Sequence, residues 1–163
     1  MRLFELFNKT ADFKWKDSKD PFSIEAVFNI GGEGYEVVFA GYEILDLIQE
    51  LDDDGREVPE WLIEFENNVP DLYDVSFYLS SARKSSQKSS WGITGTGNQY
   101  EVFSTVIAII KDFKKKNPDE EWLHIAAAEE SRRKLYDRMI KSLGVRNVYE
   151  IIVGPEKHYL VRL

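Results

Sequence analysis

Val102, Phe103, Val106, Ile107, Ile110 and Phe113 recur with the period of about 3.6 residues that puts them on one face of a helix. A strand would split the same residues between two faces. Asn98 stands at the cap position, and Glu101, three residues on, is placed as its capping-box partner. Lys114-Lys115-Lys116 suits the negative end of the helix dipole, and Asn117-Pro118 blocks continuation. The sequence therefore predicts a helix from Asn98 to Lys116 whose apolar stripe needs a sheet or further helices to cover it.

The neighbouring segments supply that cover. Trp122 to Ala128 is an apolar run of strand length. Leu135, Tyr136, Met139, Ile140 and Leu143 make a second helical stripe, closed by Gly144. Val148 to Val153 and His158 to Leu163 flank Gly154-Pro155-Glu156-Lys157, which reads as a four-residue hairpin turn. With a strand through Val75, Phe77 and Leu79, the carboxy-terminal half is β-α-β-α-β-β.

The amino-terminal half alternates at period two. Ile24, Ala26, Phe28 and Ile30, then Tyr35, Val37 and Phe39, form a hairpin about Gly31-Gly32-Glu33-Gly34. Phe13 and Trp15 suggest a shorter strand before it. Ile44, Leu45, Ile48 and Leu51 have helical spacing, and Trp61, Ile63 and Phe65 alternate as another strand would. The acidic run Asp52-Asp53-Asp54-Gly55 is not a calcium loop: with Gly55 sixth, Trp61 falls where the bidentate Glu belongs. The fold class expected is α+β with a mixed, largely antiparallel sheet, as one domain over residues 1–163.

The chain has no cysteine, which excludes disulfides and thiolate metal sites, and two histidines argue against a His-rich metal site, so no metal is expected. A net charge of −8 argues against direct nucleic-acid binding, which needs Lys and Arg to neutralise phosphates. No stretch approaches the ~18 apolar residues of a membrane span, and the run Met1 to Asn8 carries a charge within its apolar part. A cytoplasmic protein with no membrane partner is expected.

Four features could carry chemistry. Gly92, Gly95 and Gly97 precede the best helix; they serve either as turn residues or as an anion cradle in which Gly95, Thr96, Gly97 and Asn98 offer backbone N–H groups. The polar stretch from Ser80 to Ser90 reads as a solvated loop or as a flap whose Arg83 and Lys84 reach a phosphate. Arg132, Arg133 and Lys134 crowd a helix start, where positive charge opposes the dipole; they either pair with acids such as Glu129 and Glu130 or contact an anionic ligand or partner. Tyr136 lies on an apolar face and His124 inside an apolar strand, both positions that suit packed core residues better than an acid or base.

In element order, from about residue 60 to 163, the chain resembles the GNAT superfamily of N-acetyltransferases. The resemblance implies a GNAT-like domain in which the Gly95-Thr96-Gly97-Asn98 loop holds the pyrophosphate of acetyl-CoA and Tyr136 is the general acid. The segments Thr94 to Gly97, Val102 to Val106 and Ser131 to Arg138 resemble small bacteriophage-encoded proteins. That implies a viral source, with a host or phage protein as partner, and location in the host cytoplasm or the virion. The alternative on the same scaffold is a non-enzymatic interaction or virion-associated protein.

The helical stripe makes a stability prediction. Phe103→Ala should cost roughly 3–5 kcal/mol, whereas Lys115→Ala should stay within about 0.5 kcal/mol. Urea melts of the two variants with equal midpoints would show that the buried face has been misassigned.

Overall fold

A computed structural model describes residues 9–17, 20–81, 98–128 and 130–163. The chain runs β1 (Phe13–Lys16), β2 (Ser23–Ile30), β3 (Glu33–Glu43), α1 (Ile44–Asp53), α2 (Glu60–Asn68), β4 (Asp71–Leu79), α3 (Gln99–Lys116), β5 (Trp122–Ala127), α4 (Glu130–Ser142), β6 (Asn147–Val153) and β7 (Glu156–Arg162). The seven strands form one mixed sheet in the order β1-β2-β3-β4-β5-β7-β6. All neighbours are antiparallel except β4 and β5. The α+β class and the closing order β-α-β-α-β-β are thus those expected from the sequence.

Alternation along the strands sorts side chains between two cores. Val75 and Phe77 of β4, Leu123, Ile125 and Ala127 of β5, and Tyr159 and Val161 of β7 face the stripes of α3 and α4. Phe39 stacks on Phe113 at 4.2 Å, and Phe77, Phe103 and Tyr136 form a ring cluster with centroids 5.2 to 5.7 Å apart. On the opposite face, Leu72 of β4, Trp122 of β5 and Leu160 of β7 meet Ile44, Leu47 and Leu51 of α1 and Leu62 and Phe65 of α2. Each face thus buries one pair of helices.

Three local expectations need correction. The Trp61, Ile63, Phe65 segment is helix α2, not a strand. Its buried residues are Leu62 and Phe65, with Trp61 and Val69 partly covered, while Ile63 is 47% exposed. Residues 61, 62, 65 and 69 share a helical face, and Pro59 fixes the start by offering its carbonyl to the N–H groups of Leu62 and Ile63. Over so short a window, period two and period 3.6 select overlapping apolar sets.

Asn98 does occupy the cap position of α3 but makes no side-chain cap hydrogen bond. Its amide lies instead against the β2–β3 turn: a Cβ on Gly31 would come within 2.8 Å of Asn98 Nδ2. Glu101 pairs with Lys9 at 3.5 Å rather than closing a capping box. Finally, the β6–β7 turn contains two residues, Gly154 and Pro155, because Val153 already pairs with Glu156.

The end of α1 bears on the site described below. Gly55, at φ +69°, ends it with the N–H of Gly55 on the Asp52 carbonyl and that of Arg56 on the Leu51 carbonyl. This reversal aims Asp54 and Arg56 at the other end of the chain. Asp54 accepts from the Gly154 N–H at 3.3 Å, and Arg56 donates to the Ile152 carbonyl at 2.7 Å. Among the described residues no helix is long and apolar enough to cross a membrane.

The corrected face of α2 is testable. Leu62→Ala should cost roughly 2–5 kcal/mol and Ile63→Ala no more than about 1 kcal/mol by chemical denaturation. The reverse ranking would restore the strand reading.

Candidate functional site

β4 and β5 are in register at only two positions, Tyr73 with Leu123 and Asp74 with His124. β4 then continues to Leu79 and β5 to Ala127 without pairing each other, although β3 pairs with β4 and β7 with β5 along their lengths. The sheet therefore opens past Asp74 and His124. Both side chains lie on the α1–α2 face, because they alternate with Tyr73, Val75, Leu123 and Ile125, which face the other core.

A line of polar groups begins at that vertex. Asp74 Oδ1 lies 2.7 Å from His124 Nδ1, and His124 Nε2 lies 2.8 Å from His158 Nδ1. His158 is opposite Ala126 in the β5–β7 ladder, so the two imidazoles are diagonal neighbours on one face. Both are buried, at 3% and 2% exposure. Tyr42 of β3 stacks on His124 with centroids 3.9 Å apart and planes 2° from parallel. These are the only two histidines in the chain.

The protons along this line follow from the charge states at its start. With Asp74 ionised and His124 neutral, Asp74 only accepts, so His124 donates from Nδ1 and presents a bare Nε2. That nitrogen accepts from His158 Nδ1–H, which leaves the lone pair of His158 on Nε2. Burial is the main cause that pushes the His158 pKa down to about 4, so its imidazole is neutral at pH 7. His158 Nε2 is buried with no hydrogen-bond partner among the described residues, 3.3 Å from Glu156 Oε2 and 3.6 Å from Glu50 Oε2.

Glu50 responds to this crowding: burial raises its pKa, and the neighbouring Glu156 carboxylate raises it further. Burial raises the Tyr42 phenol, and Glu50, Asp74, Asp46 and Glu156 add to the effect. An open depression of about 420 Å³ lies beside the pair, between the end of α1 and the β6–β7 turn, with Glu50, Asp54, Gly154 and Glu156 among its walls.

Residues 56–154 match the family described as "Family of unknown function (DUF6934)". The chain belongs to this family. No curated protein matches the sequence. The DUF6934 match covers α2 through β6 and includes Asp74 and His124, while Glu50, Glu156 and His158 lie outside it.

The residues singled out from sequence are dispersed in this DUF6934 protein. Arg83, Lys84, Gly95, Thr96 and Gly97 lie outside the described residues. Asn98 is at the start of α3. Tyr136 is 7% exposed within the Phe77–Phe103 ring cluster, and burial raises its phenol pKa. The three cations of α4 part company: Arg132 is buried, Arg133 donates to the Pro155 carbonyl at 2.9 Å, and Lys134 is exposed.

The residues that do converge are Tyr42, Glu50, Asp74, His124, Glu156 and His158. Only His124 was singled out, as a hydrogen-bonded core histidine, which it is. The available signal was polarity on inward strand positions: Asp74 sits between Leu72 and Val75, and His158 is followed by buried Tyr159, Leu160 and Val161.

The proton assignment is directly testable. Long-range ¹H–¹⁵N spectra at neutral pH should show both imidazoles protonated on Nδ1 and bare on Nε2. A proton on His158 Nε2 would reverse the line. Asp74→Asn should change the tautomer balance of His158 as well as of His124, since the two rings share one hydrogen-bond chain.

Proposed function

We propose that this DUF6934 protein is built on the scaffold of an acyl-CoA-dependent N-acetyltransferase and takes an acyl-CoA ligand where β4 and β5 part. One observation carries the reading: the single parallel pair among the described strands separates after two register positions, and the helices following its two strands start at the same end. Ligands of sheets with parallel strands lie outside the carboxyl ends of those strands, where helix N-termini also favour an anion. In this reading Gly95, Thr96, Gly97 and Asn98 hold the pyrophosphate, with Arg83 or Lys84 at a phosphate. The acceptor amine attacks the thioester carbonyl, a C–N bond forms as the C–S bond breaks, Tyr136 supplies a proton to the departing thiolate, and the proton lost by the amine nitrogen passes through solvent to restore the Tyr136 phenol.

A second reading is favoured by the surroundings of Tyr136. Its ring is wedged against Phe77 and Phe103 in the core, a setting that suits packing better than proton delivery. On that ground the protein is a descendant of the transferase scaffold that retains ligand or partner binding without acyl transfer. A viral interaction or virion-associated protein is the form this takes if the phage resemblance reflects its source.

Thermal-shift titration decides between them. Acetyl-CoA at about 100 times its dissociation constant should stabilise the fold by about 2.7 kcal/mol. Stabilisation with release of free thiol in the presence of amines supports the transferase; stabilisation without thiol release supports the descendant. No shift at millimolar acetyl-CoA or CoA would overturn the proposal.

A further inference from the structure

The geometry points to a divalent transition-metal site formed by Glu50 of α1 with Glu156 and His158 of β7, independent of the acyl-CoA reading. One ligand atom from each residue can be chosen so that all three lie within 4.8 Å of one another. Two of the separations are 3.3 Å and 3.6 Å, from His158 Nε2 to Glu156 and to Glu50. Zinc–nitrogen and zinc–oxygen bonds of about 2.1 Å, set at the tetrahedral angle, place their ligand atoms about 3.4 Å apart. The observed spacing suits a shared cation, and neither contact makes a hydrogen bond to His158 Nε2.

The buried histidine supplies the independent indication. His158 is 2% exposed and its Nε2 has no hydrogen-bond partner among the described residues, yet it is aimed between two carboxylates. With Nδ1–H committed to His124, Nε2 presents a lone pair there. In that tautomer three acceptors converge with no donor among them, an arrangement that a shared cation relieves. The line behind His158 is also what a metal-bound histidine requires: its second nitrogen donates to a partner, here His124, which Asp74 orients in turn.

Ligand chemistry selects the metal class. One imidazole and two carboxylates, without sulfur, suit zinc and its first-row neighbours; calcium and magnesium prefer all-oxygen shells of higher coordination. Glu156 and His158 are two apart on one strand face, so β7 fixes two ligands and α1 brings the third. The Glu50 and Glu156 side chains are 46% and 43% exposed, which gives an ion access from the adjoining depression. Three protein ligands leave at least one position for water or an anionic ligand on that side.

The test uses untagged full-length protein, stripped with a chelator and titrated with zinc by calorimetry and with cobalt by visible absorption. One equivalent should bind, the melting temperature should rise, and cobalt should give the d–d bands of a four- or five-coordinate ion. Glu50→Gln and Glu156→Gln should each weaken zinc binding at least about tenfold while the metal-free proteins keep or gain thermal stability, since each removes one of two crowded carboxylates. Asp74→Asn, which touches no ligand directly, should weaken binding by about 10–100-fold. The proposal is overturned if neither metal binds at one equivalent, if both glutamine variants bind zinc as the parent does, or if a tenfold excess of magnesium displaces it.

Discussion

The hydrogen bond between Asp74 and His124 ties together two halves of a sheet whose backbone ladder is shortest where they meet. On one side β1 to β4 form an antiparallel meander; on the other β5, β7 and β6 form an antiparallel triplet. Between them the ladder has two register positions. A backbone seam that short leaves side chains to complete it, and Asp74, His124 and the stacked ring of Tyr42 do so on one face. On the other face Tyr73 meets Phe113 edge-on at 5.5 Å, so α3 braces the seam from behind. Breaking the polar line would leave buried nitrogens without partners, which in a low-dielectric setting costs more than the bond itself contributes.

Much of the architecture was legible because its longest elements have unambiguous periods. The α3 stripe, the β2–β3 alternation and the final hairpin each extend far enough to separate period two from period 3.6. α2 was misread for the opposite reason: with Trp61, Leu62, Ile63 and Phe65 all apolar within five positions, both templates fit until Pro59 is recognised as a helix start. Asn98 shows another limit. Its residue type favours capping, but the approach of Gly31, 67 positions earlier, gives its amide a different neighbour.

The polar cluster was less legible than the fold. Asp74, His124 and His158 come from three strands, Tyr42 from a fourth and Glu50 from a helix, so no local spacing links them. What sequence does retain is a misfit: carboxylate and imidazole groups at positions whose alternation points inward. Each alone reads as a satisfied core polar group. Only the register, which sets His124 beside Asp74 and diagonal to His158, turns separate misfits into one line. The α4 cations illustrate the converse, since neighbours in sequence proved to occupy three different environments.

The contact between Gly31 and Asn98 has a consequence for how this sequence can drift. At φ +59° a side chain at position 31 is strained already, and its first carbon would also overlap the Asn98 amide. Shortening residue 98 removes the overlap but not the backbone strain; relaxing the turn removes the strain but moves the β2–β3 tip away from the start of α3. The constraint therefore falls on position 31 and not on position 98: whatever replaces Asn98, the left-handed backbone at the hairpin tip still calls for glycine.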